Sequence, residues 1–145
     1  MLLKIEKINK SYNEEGGKKL LIFNNLNFTL HNEKIITVYG PSGIGKTTFL
    51  NMLGTVDLPD SGDIYLDDIQ YNKKNYQILR RKYIGYMFQF HYLLPEFTVF
   101  ENLSLTLEIK KTSILSKKET KEVIYNTLSD FNVESKMNYY PNQLS

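Results

Sequence analysis

The sequence predicts an α/β fold with a β-rich N-terminal part, a central strand–loop–helix unit and a helical C-terminal part. Three observations lead to this prediction. Apolar side chains alternate with polar ones in the N-terminal region, which is the period of a half-buried strand. A run of β-forming residues at 35–39 leads directly into a glycine-rich loop and then into a helical apolar pattern. Beyond residue 98, helix-start signals precede apolar residues at helical spacing.

The composition is that of an ordinary globular protein and excludes several chemistries. Of the 145 residues, 41% are hydrophobic, and 18 basic side chains against 16 acidic ones give a net charge of +2. This balance is too even to indicate nucleic acid or an anionic membrane as a partner by itself. The absence of cysteine excludes disulfides and thiolate chemistry. No apolar run reaches the roughly 20 residues of a membrane helix, and the N-terminus does not resemble a secretory signal. We therefore expect any link to a membrane to run through a partner protein.

The N-terminal region predicts an antiparallel β-structure. A strand pattern covers residues 3–8, and the polar, glycine-containing segment 13–19 predicts a hairpin-like loop. Two further strand patterns follow at 20–23 and 26–30, the second with strict alternation of apolar and polar residues.

The central region predicts a strand, a loop and a helix in succession. The continuous β-forming run at 35–39 is typical of a strand buried on both faces in a parallel sheet. After the glycine-rich loop, the apolar residues at 49–53 have helical spacing, and Gly54 predicts the end of that helix.

Three shorter elements are predicted after this helix. Residues 63–66 are expected to form a short strand, 73–81 a helix and 84–88 a further strand. Gln89 follows the last of these strands directly. A polar side chain at the carboxyl edge of a sheet lies where α/β proteins bind ligands. Gln89 is therefore a candidate site residue, and the alternative is a solvated glutamine at a strand end.

The C-terminal region predicts two helices, each with its start encoded. Thr98 with Glu101 and Ser116 with Glu119 have the spacing of a capping box, in which a hydroxyl and a carboxylate bond the free N–H groups of the first turn. We expect residues 110–116 to link the two helices. One face of the second helix is predicted to carry Ile124, Leu128 and Phe131.

A phosphate-binding motif occupies the loop after the 35–39 run. The segment GPSGIGKT, residues 40–47, matches G-x-x-x-x-G-K-[ST] in full. Its glycines allow consecutive N–H groups to converge on an anion, with the positive end of the following helix behind them. Lys46 adds a charge for the β- and γ-phosphates, and the hydroxyl of Thr47 is a candidate Mg²⁺ ligand.

The motif and three other features resemble the ATP-binding subunits of ABC transporters. GPSGIGKTT is similar to the Walker A segment of that family, and PDSGDIYLD at 59–67 to the strand that follows the Walker A helix. The resemblance implies that Tyr12 stacks on adenine, a contact that can contribute ~1–3 kcal/mol. The alternative is that Tyr12 only ends a strand. The resemblance also implies that Gln89, at the end of IGYMFQ, ligates Mg²⁺ and orients the attacking water.

A subfamily signal lies in FQFHYLLPEFTVFENL, residues 88–103. This stretch closely resembles the lipoprotein-releasing, or LolD-type, ATPases and the MacB-type exporters. The shared residues are His91, Leu93, Leu94, Pro95 and Glu96. Two interpretations of the apolar residues here stay open. They pack the core of the helical insertion, or they form an exposed groove for a helix of a membrane subunit.

The resemblance also implies which parts of the family pattern fall outside this chain. Residues 140–145, YPNQLS, are similar to the segment that leads into the family signature LSGGQ or LSGGE, and only its Leu144 and Ser145 are present. The Walker B aspartate and the catalytic glutamate of the family come later. We therefore expect that the C-terminal third of the domain is missing and that this chain alone is inactive. We also expect residues 35–39 to be partly unpaired.

Together these features predict the front part of an ABC-type ATPase. The prediction is a P-loop NTPase core of about residues 1–90, including an antiparallel β subdomain, and a helical subdomain of about 91–145. The cofactors are ATP and Mg²⁺. The candidate nucleotide-binding residues are Tyr12, Gly40, Pro41, Ser42, Gly43, Ile44, Gly45, Lys46, Thr47 and Thr48.

The family resemblance also implies partners and a location. The partners would be integral membrane permease subunits and a second ATPase subunit, as a homodimer in the intact protein, and no nucleic acid. The location would be the cytoplasmic face of the cell membrane. Two alternatives remain at this point: a different P-loop enzyme such as a nucleotide kinase or GTPase, and a non-catalytic fragment that binds nucleotide.

Overall fold

The computed structural model describes residues 2–90, 92–110 and 115–144. The chain divides into two compact units, Met1–Tyr86 and Met87–Ser145. The sequence predictions for His91, for most of the 110–116 linker and for Ser145 lie outside the described residues. No helix in the described ranges combines the length and the apolar composition needed to cross a membrane.

The first unit contains an antiparallel sheet of four strands in the order β2-β1-β3-β4. Its strands are β1 (Leu2–Asn13), β2 (Lys19–His31), β3 (Ser61–Leu66) and β4 (Ile69–Gln70). The predicted hairpin is confirmed, because β1 pairs antiparallel with β2 up to the turn between them. The two patterns predicted at 20–23 and 26–30 form one continuous strand. The short strand β4 is too brief to leave a periodic signal.

The core of this unit lies between the sheet and helix α1 (Lys46–Leu53). Ile5, Ile8 and Ile64 of the sheet and Met52 of the helix are almost completely buried against one another. On the same side, Phe49 makes edge-to-face contacts with two phenylalanines of β2. Burial of one such aliphatic side chain contributes about 1.5–3 kcal/mol, so this core fixes α1 on the sheet.

Helix α2 (Tyr76–Lys82) begins three residues later than the sequence predicts. The cause is a local competition for backbone hydrogen bonds. The side chain of Asn75 accepts from the amide of Asn72 at 2.9 Å, and that of Asn72 accepts from the amide of Lys74 at 3.0 Å. Such asparagine turns offer the backbone an alternative to the helix, and they delay its first turn.

The predicted buried strand at 35–39 is wrong for this chain. These residues form no strand, and the side chains of Ile35 and Tyr39 are 88% and 91% exposed. Their amides donate no hydrogen bond to any described residue. A strand inside a parallel sheet depends on neighbours that are distant in sequence, and no described strand pairs with this segment.

The predicted strand at 84–88 is also wrong. The amides of Tyr83 and Ile84 both donate to the carbonyl of Leu79, at 2.8 and 3.1 Å, and so close the end of α2. The residues that follow lie outside the four described strands of the sheet, and Met87 is 95% exposed.

The second unit is helical. It contains α3 (Val99–Lys110), α4 (Lys117–Asp130) and two short 3₁₀ helices at Glu134–Lys136 and Pro141–Gln143. The second 3₁₀ helix falls where the sequence resembles the lead into the family signature.

Both predicted capping boxes are confirmed in this unit. Ser116 accepts from the amide of Glu119, whose carboxylate accepts from the amide of Ser116 in return, and Thr98 and Glu101 do the same for α3. On α4, Ile124 and Leu128 are buried as predicted, whereas Phe131 is 72% exposed. Phe131 follows the last helical residue, so helical spacing no longer places it on the buried face.

Candidate nucleotide-binding site

The glycine-rich loop lies between the exposed segment 35–39 and the start of α1. Gly43 and Gly45 have φ angles of 82° and 103°, which glycine adopts without steric cost. A side chain at Gly45 would also meet β2, because a Cβ there would lie 2.5 Å from Cγ2 of Ile22. Gly43 is therefore required for the turn alone, whereas Gly45 is required for the turn and also for close packing against the sheet.

The N–H groups of this loop are free to bind a ligand. From residue 42 to residue 48, no amide donates a hydrogen bond to another described residue. Regular bonding starts only at Phe49, whose amide donates to the carbonyl of Gly45 at 2.8 Å. The loop thus presents unpaired donors at the positive end of α1, which is an arrangement that binds anions.

Lys46 is the first residue of α1, and its side chain folds back over the loop. Its Nζ donates to the carbonyls of Gly40 and Pro41, at 2.8 and 2.7 Å. This places an ammonium beside the free N–H groups, while Thr47 is exposed next to it. Unpaired N–H groups and an ammonium fit a polyphosphate, and a hydroxyl oxygen fits a hard cation such as Mg²⁺. The roles of these residues toward ATP and Mg²⁺ stay predictions.

Tyr12, near the end of β1, is joined to the helix that follows the loop. Its hydroxyl donates to Asp57 Oδ2 at 2.5 Å and lies 3.5 Å from the hydroxyl of Thr48 on α1. The Nζ of Lys10 lies over its ring, 4.8 Å from the centroid. Tyr12 remains 38% exposed. It therefore lies beside α1 with part of its surface open, and its predicted stacking on adenine stays a prediction.

Lys10 and Asp57 were not singled out by the sequence patterns. The Nζ of Lys10 donates to Asp57 Oδ1 at 2.8 Å and to the carbonyl of Leu58 at 2.7 Å, and the side chain of Lys10 is only 8% exposed. One signal could have found this pair. Lys10 follows Ile8 at a spacing of two, which places a charge on the buried face of a strand and requires a partner.

The contacts among Lys10, Tyr12 and Asp57 determine the ionisation of the Asp57 carboxyl and of the Tyr12 hydroxyl. For Asp57, burial acts to raise the carboxyl pKa, but hydrogen bonds from Lys10, Tyr12 and the amide of Leu58 outweigh it and hold the pKa below its ordinary value. For Tyr12, burial raises the pKa of the hydroxyl, and its hydrogen bond to Asp57 acts in the same direction. The pair is therefore an ionised carboxylate that accepts from a neutral phenol at neutral pH.

Gln89 lies in the other unit, Met87–Ser145, where it is exposed in a bend. Its role toward magnesium and water stays a prediction.

Most apolar residues of the loop that carries the subfamily signal are exposed, whereas Leu93 is half-buried. Tyr92 is 68%, Leu94 41% and Phe97 39% exposed. The loop is nevertheless held in place at one point, since the side chain of Asn102 bonds both the amide and the carbonyl of Leu94, at 2.9 and 3.2 Å. This exposure favours the interpretation as a docking surface over the one as core packing.

Comparison with known proteins places these features in one family. The family model for ABC transporters matches residues 23–145. The lipoprotein-releasing system ATP-binding protein LolD of Buchnera aphidicola is 36% identical over the whole chain, and that of Treponema denticola is 40% identical over 90% of it. The chain spans 63% and 58% of the lengths of these two relatives.

Solved structures agree on the fold. A dimeric ATP-binding cassette in a post-hydrolysis state, bound to ADP and Pi, superimposes with a TM-score of 0.88 at 31% identity. The similarity covers 99% of this chain and 63% of that protein. The fold is therefore the α/β architecture of an ABC cassette, as the sequence predicted.

Proposed function

This chain belongs to the ABC transporter family, and from that premise we propose that its loop at residues 40–47 binds Mg·ATP for an ATPase that powers a membrane exporter. The observation that carries the proposal is the set of unpaired N–H groups at the start of α1 with the Lys46 ammonium beside them. This donor set suits the β- and γ-phosphates of a nucleotide. Membership in the ABC family removes a nucleotide kinase or a GTPase as an alternative.

Different residues of the chain would bind the phosphates, the magnesium ion and the base. The loop amides would hold phosphate oxygens, and Lys46 would exchange its bonds to the Gly40 and Pro41 carbonyls for bonds to phosphate. Thr47 would hold Mg²⁺, with Gln89 as a further ligand that also orients water. The ion would supply charge neutralisation at the phosphates. Tyr12 would hold the base.

The export task is proposed from the relatives. LolD proteins are named as ATP-binding proteins of a lipoprotein-releasing system, and the exposed loop at residues 92–97 gives a surface on which a permease helix could dock. We propose the same task, or a MacB-like export, for the protein to which this chain corresponds. Its partners would be permease subunits and a second cassette, as in the dimeric relative, at the cytoplasmic face of the membrane.

The test of the proposal is the variant Lys46→Ala, with titration calorimetry of Mg·ATP and of Mg·tripolyphosphate. Hydrogen bonds to charged groups contribute about 1.5–3 kcal/mol, so we expect both affinities to fall about 10- to 100-fold. The matched control is Lys73→Ala, which removes an exposed lysine of the same unit. Binding that is unchanged in Lys46→Ala, with the fold intact by circular dichroism, would refute the assignment of the loop.

A further inference from the structure

The ion pair between Lys10 and Asp57 contacts Tyr12, the residue expected to hold the base. We infer that Lys10 and Asp57 are positioning residues, which fix the Tyr12 ring against α1 and so set the affinity for the base portion of a nucleotide. This inference rests on the proposed function, since it assigns a role within the same site. It goes further because it assigns a role to two residues that the proposed function does not use.

The first step of the argument is the rigidity of Asp57. Its backbone amide and that of Val56 both donate to the carbonyl of Asn51 on α1, at 3.2 and 2.8 Å. Its Oδ1 also accepts from the amide of Leu58 at 2.7 Å. The carboxylate is thus fixed to the helix that begins at the phosphate loop.

The second step is the role of Lys10. Its side chain is almost buried, and it bonds both Asp57 and the Leu58 carbonyl. A buried ammonium is unfavourable unless it is paired, so it holds the carboxylate in one orientation. In that orientation, the other oxygen, Oδ2, faces the Tyr12 hydroxyl.

The third step is what this does to the ring. A tyrosine at the surface end of a strand is free to change its rotamer, but Tyr12 is held at its hydroxyl by Asp57 and over its ring by Lys10. Thr48, the other neighbour of the hydroxyl, is two residues after Lys46 on α1. The ring therefore keeps a fixed distance from the phosphate loop. Preorganisation of this kind strengthens binding because less side-chain freedom is lost when the ligand binds.

The experiment compares ligands with and without a base in the full chain. Mg·ATP and Mg·tripolyphosphate are titrated into wild type, Tyr12→Phe, Asp57→Asn and the double variant. Tyr12→Phe keeps the stacking ring and loses only its hydroxyl. Asp57→Asn leaves one acceptor oxygen for three donors. We expect each single variant to lower the affinity for Mg·ATP about three- to tenfold, which is the net contribution of a typical hydrogen bond, and to leave that for Mg·tripolyphosphate unchanged.

The double variant tests whether Asp57 acts through Tyr12 or only stabilises the fold. The measured quantity is the ratio of the affinities for Mg·ATP and Mg·tripolyphosphate, which a purely structural role would not change. If Asp57 acts through the Tyr12 hydroxyl, Asp57→Asn will not change the ratio of the two affinities further once residue 12 is phenylalanine. Tyr71→Phe is the matched control, because it removes a hydroxyl that bonds the Leu53 carbonyl within the same unit. It should leave the ratio unchanged.

The outcomes separate the two proposals. An unchanged ratio in Tyr12→Phe overturns the inference, and so does a further change of the ratio in the double variant. Because Tyr12→Phe leaves the ion pair intact, it decides the matter even if Asp57→Asn does not fold. If wild type binds neither ligand, the proposed function fails and the inference fails with it.

Discussion

Two regions of the first unit have similar β-forming sequences but adopt different structures. The hairpin of β1 and β2 is paired along most of its length, with register shifts near Ile8, and Ile5 and Ile8 of β1 are buried. The segment 35–39, which is richer in β-branched residues, is unpaired and exposed. The difference shows that β-propensity alone does not make a strand, because a strand also needs a partner.

The distance of the partner along the chain explains the contrast. The two strands of the hairpin are joined by a short turn, so their pairing closes only a small loop. A strand of a parallel sheet is paired through crossover connections with distant parts of the chain. Next to residues 35–39 lies an open apolar groove of about 640 Å³, lined by β2, α1 and the segment itself. On the side of this groove, no described residues pack over the apolar surface of the segment.

The largest difference between the two regions is expected in hydrogen exchange. Amides in the paired part of β1 should open only with the whole unit, whereas those of 36–39 should exchange almost freely. We expect a ratio of protection of at least about a thousand, measured by NMR or mass spectrometry. Slow exchange at 36–39 that disappears on tenfold dilution would instead reveal pairing between chains, and slow exchange at all concentrations would contradict the comparison.

A smaller effect is expected from one substitution made in both regions. Ile8 is completely buried and Ile35 is 88% exposed. Ile8→Ala should lower the free energy of unfolding by about 2–5 kcal/mol because it leaves a cavity. Ile35→Ala should change it by less than about 0.5 kcal/mol. Urea titrations followed by circular dichroism measure both, and equal losses would show that Ile35 is packed in solution.

The smallest effect is expected in the loss of stability at low pH. It concerns the ion pair between Lys10 of β1 and Asp57, which has no counterpart in the uncharged segment 35–39. The pKa of Asp57 is below its ordinary value in the folded chain. Its contribution to stability is therefore present above the pKa of the unfolded chain, near 4, and is lost as pH falls through the folded pKa. Asp57→Asn should flatten the loss of stability below about pH 4. Asp68→Asn, in the exposed turn after β3, serves as the control.

Much of this protein is determined by the sequence through local interactions. The hairpin loop, the capping boxes and the end of α1 at Gly54 involve residues a few positions apart, and each appears where the pattern predicts it. The phosphate loop is of the same kind, because its glycines set their own backbone angles and its helix follows directly.

Only the tertiary structure decided the features that join distant residues. The bond from Lys10 to Asp57 spans 47 positions, and that from Tyr12 to Thr48 spans 36. Neither has a local signature beyond a charge on a buried strand face. The unpaired state of 35–39 is likewise invisible in its own sequence, because a strand is a property of two segments and the sequence of one cannot supply the hydrogen bonds of the other.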